Sequence, residues 1–131
     1  MNNYCFVRPE HLNHHNFLFG GQLLKWVDEY SWLAAALEYP GCVLVTRAMD
    51  NISFTKTVCS GAILRFNIEW KSQKSTSVTY TTKVFAKEVD KSEEHMVFST
   101  NVTFVCINEK NKKQVLPKRT SKQKKIPALK S

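Results

Sequence analysis

The chain has 131 residues, a formal net charge of +8, and 43% hydrophobic and 23% charged residues. This length fits one domain, and a composition near the globular average excludes an intrinsically disordered chain. The longest apolar stretch, from Leu23 to Leu37, is interrupted by charged side chains, which excludes a membrane-spanning helix. The first ten residues lack the basic start and apolar run of a secretion signal, so we expect a cytoplasmic protein.

The positive charge is concentrated at the C-terminal end. Residues 1–109 carry ten Lys and Arg and all eleven acidic side chains, whereas nine Lys and Arg and no acid follow from Lys110 onward. We therefore predict that this basic stretch is solvated, with one domain over residues 1–117 and a disordered tail over residues 118–131. Such a tail favours solubility, and weak attraction to acidic surfaces or phosphorylated ligands is the alternative. We expect no nucleic-acid binding, which would rest on the tail alone.

The cysteine and histidine residues do not form a metal-binding pattern. None of the four cysteines stands in a Cys-x-x-Cys pair, and without an export signal a disulfide framework has no support. The three clustered histidines, near residue 14, are not accompanied by Cys, Asp or Glu at ligand spacing. We expect reduced thiols and no metal site.

One long helix is predicted in the N-terminal third. A short apolar piece from Tyr4 to Arg8 forms a first strand or an arm, and a polar loop from Glu10 to Asn16 follows. The helix runs from Gln22 to Tyr39 and is ended by Pro40 and Gly41. Its apolar positions are spaced three and four apart, at Leu23, Val27, Tyr30, Ala34 and Leu37. Because most of its other positions are also small or apolar, we expect it to be buried on most sides.

The rest of the chain is predicted to form strands, because each segment is rich in Val, Ile, Thr, Phe and Tyr. The predicted strands are Cys42–Phe54, Ala62–Ser72, Ser77–Val89 and Met96–Asn108. Consecutive strands with hairpin-length connections favour an antiparallel sheet. The fold class is therefore α+β, with a curved antiparallel sheet wrapped around one long helix. Strands this long tend to curl or to pair with a second chain.

Asp28 is the candidate catalytic residue. It lies roughly 100° or more around the helix from the core-facing apolar positions, where a polar stripe meets an apolar flank, and about two turns after the glycine pair Gly20 and Gly21. Backbone amides at a helix start can stabilise an oxyanion, so a carboxylate near them suits hydrolysis of an acyl group, either as general base on water or as direct nucleophile. The alternative for Asp28 is a surface pair with Lys25. Asn13 could orient water or an acyl oxygen, although Asn and paired glycines also serve as plain turn residues.

Three segments resemble the acyl-CoA thioesterases of the hotdog superfamily, in the branch with the bacterial short-chain and brain-type acyl-CoA hydrolases. The first, residues 13–29, contains an Asn, then a Gly-Gly pair, then an Asp at the offsets of that branch. The second, residues 54–61, is similar to its Phe-x-Lys-Pro-Val-x-x-Gly turn. The third, residues 102–108, leads through a charged turn to Leu116 and Pro117.

The resemblance implies a hotdog fold and a homodimer whose two sheets join edge to edge, commonly assembled as a trimer of dimers, a hexamer. It implies an active site at the dimer interface, with Asp28 as the catalytic carboxylate and Asn13 of the other chain facing it. The amides of Gly20 and Gly21 would polarise the substrate carbonyl. The expected activity is hydrolysis of acyl-CoA to coenzyme A and a fatty acid by Asp-assisted attack of water.

For the coenzyme A portion, the resemblance implies contacts from Lys56 and from the turn before the fourth strand. That turn is usually Gly-Arg-Thr/Ser-Ser, and here it is Lys74, Ser75, Thr76 and Ser77, in which Lys74 can meet a phosphate as a point charge. No metal or cofactor is expected, because coenzyme A belongs to the substrate. The alternative function is a non-catalytic hotdog module that binds acyl-CoA or a partner protein.

Overall fold

The computed structural model describes residues 1–120, which form one helix packed on one five-stranded sheet. The elements in chain order are β1 (Asn2–Phe6), a 3-10 turn (Pro9–His11), α1 (Gly20–Glu38), β2 (Val43–Phe54), β3 (Ile63–Gln73), β4 (Ser77–Lys87) and β5 (His95–Ile107). All neighbouring strands are antiparallel, in the order β1-β3-β4-β5-β2. The predicted α+β arrangement of one helix and an antiparallel sheet is confirmed.

The N-terminal elements differ from the sequence prediction in three details. β1 lies at Asn2–Phe6 and not at Tyr4–Arg8, and the polar loop begins with the 3-10 turn. Pro9 favours that turn because its fixed φ suits a first helical position, and the Arg8 amide donates to His11 Nδ1 at 3.0 Å. The long helix starts at Gly20, two residues earlier than predicted, so both glycines belong to its first turn.

The hydrophobic core lies between one face of α1 and the inner face of the sheet. The helix contributes Leu23, Val27 and Ala34, all at most 4% exposed. The sheet contributes buried side chains from its three central strands, among them Leu64, Phe66, Val84, Phe98, Val102 and Phe104. The ring centroid of Tyr30 lies 4.8 Å from that of Phe66, so helix and sheet are in direct aromatic contact.

The opposite flank of α1 is not covered within one chain. Trp32 and Leu33 are each 42% exposed, and Leu37 is 64% exposed. The prediction that the helix is buried on most sides is therefore wrong for a single chain. Leu37, one of the five regularly spaced apolar positions, does not face the core either. The sheet packs against one side of the helix only. β2 borders this flank as a sheet edge, and most of its side chains are exposed.

Residues 113–120, which we call the C-terminal strap, return across the end of the domain. The Leu116 amide donates to the Ser75 carbonyl and the Thr120 amide to the Glu38 carbonyl, each at 2.9 Å. The Leu116 side chain is buried, and an Arg119 Nη atom lies 3.0 Å from Glu38 Oε2. The strap thus ties the β3–β4 turn to the last turn of α1.

The strap refines the prediction of a solvated basic C-terminal stretch. Most side chains of residues 113–120 are exposed, as expected, but Leu116 packs on the body because it is apolar, and Arg119 contacts an acidic partner. The predicted disordered tail begins at Lys118, so residues 118–120 of it are described, and residues 121–131 lie outside the described residues. Among residues 1–120, no helix has the length and apolar character needed to cross a membrane.

We predict that Arg119→Ala lowers the free energy of unfolding by about 1–2 kcal/mol. The Glu38 side chain is 12% exposed and also accepts a 2.6 Å hydrogen bond from Tyr80 Oη, so removing its cationic partner weakens a largely desolvated contact. The Arg119 guanidinium also lies 4.8 Å from the Trp70 ring. Urea unfolding measures the effect. Arg8→Ala is the control, because its ion pair with Glu10 is solvated and its loss should leave the free energy of unfolding close to that of the wild type.

Candidate functional site

Asp28 lies near the middle of α1, half-buried, where the helix passes β2. Thr46 of β2 donates a hydrogen bond from Oγ1 to Asp28 Oδ1 at 2.6 Å. None of the ion pairs among residues 1–120 joins Asp28 to Lys25, so the surface-pair alternative is not what the structure forms. The hydrogen bond holds one carboxylate oxygen and leaves Oδ2 available to accept a proton.

Thr46 is a site residue that sequence reasoning missed. It is separated from Asp28 by 18 positions, and a Thr within a predicted strand is ordinary because β-branched residues favour strands. Its role becomes visible only when β2 is placed beside α1. The one signal in the sequence is a hydroxyl residue that follows the apolar run Val43–Val45 at the start of the strand.

An open groove of about 430 Å³ runs from Asp28 along the exposed flank of α1. Asp28, Glu29 and Thr46 form its polar end, and its apolar wall includes Trp32, Leu33 and Leu44. The Trp32 indole is held by a 3.1 Å hydrogen bond from Nε1 to the Leu44 carbonyl. A carboxylate at the end of an apolar groove suits a ligand with a reactive polar group and a hydrocarbon part.

The helix start forms a second groove of about 300 Å³, lined by Gly20, Lys56 and the neighbouring apolar residues Leu18, Leu23, Phe54 and Val58. The amides of Gln22 and Leu23 donate to the Phe19 carbonyl, and within residues 1–120 nothing accepts from the amides of Gly20 and Gly21. These two amides are therefore available to bind an oxygen. A Cβ added to Gly21 would lie 2.6 Å from the Phe19 ring, so a larger residue would displace that ring.

Asn13 organises the loop that precedes the helix. Its Oδ1 accepts hydrogen bonds from the amides of His15 and Phe17, at 2.8 and 3.2 Å. The loop turns at Asn16, whose φ is 66°, the left-handed conformation that Asn tolerates. The turn role considered for Asn13 is thus present. Its side-chain Nδ2 has no partner within residues 1–120 and can still donate to a ligand or to another chain.

A single chain does not bring Asp28 together with the helix start. Asp28 lies seven residues beyond Gly21, about 10 Å along the helix axis. The two grooves have no lining residue in common. One chain therefore presents the Asp28 carboxylate and the amides of Gly20 and Gly21 at separate places.

The residues expected to contact coenzyme A are also split. Lys56 follows β2 beside the helix start, whereas the turn of Lys74 to Ser77 lies at the opposite end of the sheet, about 20 Å away. In that turn the Lys74 amide donates to the Ser77 carbonyl at 2.8 Å, and Ser77 is 8% exposed. The carbonyls of Ser75 and Thr76 accept from the amides of Leu116 and Cys106.

The thiols of Cys5 and Cys42 are poorly suited to act as nucleophiles. Burial raises the pKa of Cys42 to about 11, with a further contribution from the neighbouring Cys106. Burial also raises the pKa of Cys5, and that of Tyr30 beside it. These thiols are protonated near neutral pH, and only the thiolate is a good nucleophile. No group of three or more His, Cys, Asp or Glu within residues 1–120 is arranged to hold a metal.

A family model for the thioesterase superfamily matches residues 15–93, a span that includes α1, Asp28 and Thr46. The chain belongs to this superfamily. The resemblance found in the sequence is confirmed, since the match covers the glycine pair, the Asp and the first three long strands.

Two proteins with similar sequences are named as thioesterases or thioester hydrolases. The chain is 32% identical to mouse acyl-coenzyme A thioesterase 11 over 114 residues, 85% of the chain and 19% of that protein. It is 27% identical to the uncharacterized acyl-CoA thioester hydrolase YkhA of Bacillus subtilis over 114 residues, 86% of the chain. The chain thus spans less than two thirds of each relative, 19% and 64% of their lengths.

The solved structures establish the hotdog fold of this thioesterase-superfamily domain. Cj0915, a hexameric hotdog fold thioesterase of Campylobacter jejuni, superposes with a TM-score of 0.80 at 26% identity, covering 88% of each chain. The predicted hotdog fold, one central helix against an antiparallel sheet, is therefore confirmed.

Proposed function

We propose that this domain hydrolyses acyl-CoA thioesters and releases coenzyme A and a fatty acid. The observation that carries the proposal is the Asp28 carboxylate, held by Thr46 at 2.6 Å, at the polar end of an apolar groove. The names of the mouse and Bacillus relatives support an acyl-CoA substrate. The groove offers the apolar wall that a hydrocarbon chain needs.

In the proposed reaction, Asp28 acts as a general base through the oxygen that Thr46 does not bind. It accepts a proton from a water molecule, whose oxygen forms a bond to the thioester carbonyl carbon. The carbonyl oxygen, which becomes negative, accepts hydrogen bonds from the amides of Gly20 and Gly21. The carbon–sulfur bond then breaks, the coenzyme A thiolate takes up the proton, and the carboxylic acid is released. This reaction uses no metal and no cofactor.

The proposed site is shared between two copies of the chain in a homodimer. Asn13 and the helix-start amides of one copy would face Asp28 of the other, which would bring the two separate grooves together. The exposed flank of α1 and the free edge of β2 support this arrangement, because a second copy would cover both. The hexameric structural neighbour Cj0915 supports a hexamer, which we propose to be a trimer of dimers.

The coenzyme A phosphates are proposed to meet Lys56 and the turn of Lys74, Ser75, Thr76 and Ser77. Because Lys56 and this turn lie about 20 Å apart in one chain, they would act on one ligand only from different copies. The exposed side chains of Lys56 and Lys74 are suited to phosphate, whereas the buried Ser77 supports the turn. The four cysteines are free, which supports the proposed cytoplasmic location.

We predict that the purified protein releases thiol from acyl-CoA. The assay incubates it with acyl-CoA of several chain lengths and follows free coenzyme A with a thiol-reactive dye. Thiol release above the spontaneous rate is the expected result, because the site holds both a base and oxyanion donors. Tight acyl-CoA binding without thiol release would contradict hydrolysis and favour the non-catalytic binding module.

A further inference from the structure

A buried polar contact joins α1 to the sheet on the core-facing side of the helix. Ser31 Oγ of the helix and Thr82 Oγ1 of β4 lie 2.7 Å apart, and both side chains are 0% exposed. The remaining buried side chains of the helix are apolar, apart from the indole nitrogen of Trp26. Apolar contacts are non-directional, whereas a hydrogen bond between two buried hydroxyls requires one relative placement of the groups.

Further buried hydroxyl groups lie between Thr82 and β2. Thr82 is the cross-strand neighbour of Thr100 on β5, which is 1% exposed. Thr100 Oγ1 donates to the Asp50 carbonyl of β2 at 2.7 Å, where the β2–β5 register shifts and Asn51 has a φ of 53°. A row of buried hydroxyls therefore runs from the helix to the bulge of the strand that carries Thr46.

The position of Ser31 links this row to the site. Ser31 follows Asp28 by three residues, which places it about 4.5 Å along the axis and about 60° around the helix. A rotation of α1 that breaks the contact between Ser31 and Thr82 therefore also moves the Asp28 carboxylate relative to Thr46. The hydrogen bond between Thr46 and Asp28 depends on both the rotation of α1 and the course of β2.

We infer that Ser31 and Thr82 are positioning residues, which fix the rotation of α1 so that Asp28 stays against Thr46. They act through Asp28 and do not touch the substrate. The catalytic importance of these two residues rests on the proposed function. The positional effect itself can be measured without turnover.

The decisive variant is the double substitution Ser31→Ala with Thr82→Val. Removing both hydroxyls leaves no buried donor without a partner, so the melting temperature should stay close to that of the wild type. We expect kcat to fall about tenfold or more while KM is retained, because a small displacement of a catalytic group lowers the rate of the chemical step. Thr82→Ser, which keeps the hydroxyl, should retain most of kcat.

The matched control is Thr79→Val with Thr103→Val. These hydroxyls lie 2.8 Å apart on β4 and β5, on the face of the sheet opposite to Thr82. This pair should leave kcat unchanged. Turnover at the wild-type rate by the Ser31 and Thr82 variant, or an equal loss in the control, would overturn the inference.

A second readout separates this inference from the proposed function. In protein labelled with ¹³C at the Asp carboxyl groups, Asp28→Asn identifies the Asp28 signal. Its chemical shift should change in the Ser31 and Thr82 variant and not in the Thr79 and Thr103 control. If the wild type hydrolyses no acyl-CoA, the proposed function fails, yet an altered Asp28 signal still supports positioning. An unaltered signal would overturn it.

Discussion

Asp28→Asn is expected to lower kcat for acyl-CoA hydrolysis by about a hundredfold or more, the effect of losing a general base. The carboxamide has nearly the same shape as the carboxylate, and its oxygen can still accept the 2.6 Å hydrogen bond from Thr46. It cannot take a proton from water at neutral pH. Steady-state kinetics on acyl-CoA, with the oligomeric state and melting temperature checked, measure the effect.

The control for this prediction is Asp90→Asn, which removes a carboxylate from the exposed turn between β4 and β5. It makes the same change of charge, so a general electrostatic effect on substrate attraction would appear in both variants. We expect Asp90→Asn to hydrolyse acyl-CoA at the wild-type rate. Full activity of Asp28→Asn would remove Asp28 from the mechanism.

Leu37→Asp is expected to dissociate the oligomer and to abolish turnover. Leu37 is 64% exposed in one chain, so the proposed partner copy, and not the chain's own core, would bury it. A charge placed in such an interface would be desolvated without a partner, at a cost of several kcal/mol. The isolated chain should remain folded but inactive, because it lacks Asn13 and the helix-start amides of a second copy. Light scattering, circular dichroism and the thiol-release assay measure the three outcomes.

Complementation tests whether the loss reflects a shared site. Asp28→Asn and Asn13→Ala should each be inactive alone, and their mixture should regain activity after subunit exchange. In a mixed dimer one of the two sites receives an intact Asp28 and an intact Asn13, so about a quarter of wild-type activity is expected from an equimolar mixture. No recovery after demonstrated exchange, or a fully active Leu37→Asp monomer, would contradict a site formed by two chains.

The sequence was informative where the physical signal is local. The three- and four-residue spacing of apolar side chains predicted the helix, and Pro40 with Gly41 predicted its end. The β-branched and aromatic segments predicted four strands to within about two residues at each end. Such elements are encoded by neighbouring residues, which is why periodicity and turn residues suffice.

The contacts between distant residues could not be predicted in the same way. Thr46 reaches Asp28 only because β2 follows the helix closely, and Arg119 meets Glu38 across 81 residues. Leu37 follows the apolar spacing but is exposed, because periodicity identifies an apolar side without identifying which chain covers it. The sequence identified Asp28 as a candidate catalytic carboxylate. Its hydrogen bond to Thr46 and the groove beside it became visible only in the three-dimensional structure.

The separation of the two grooves along α1 has a consequence for measurements at low protein concentration. If each working centre needs two copies, then specific activity is a property of the assembled fraction and not of the number of chains. Dilution below the dissociation constant of the dimer would reduce the rate more than in proportion, and reconcentration would restore it. Rates compared between samples would therefore need matched subunit concentrations.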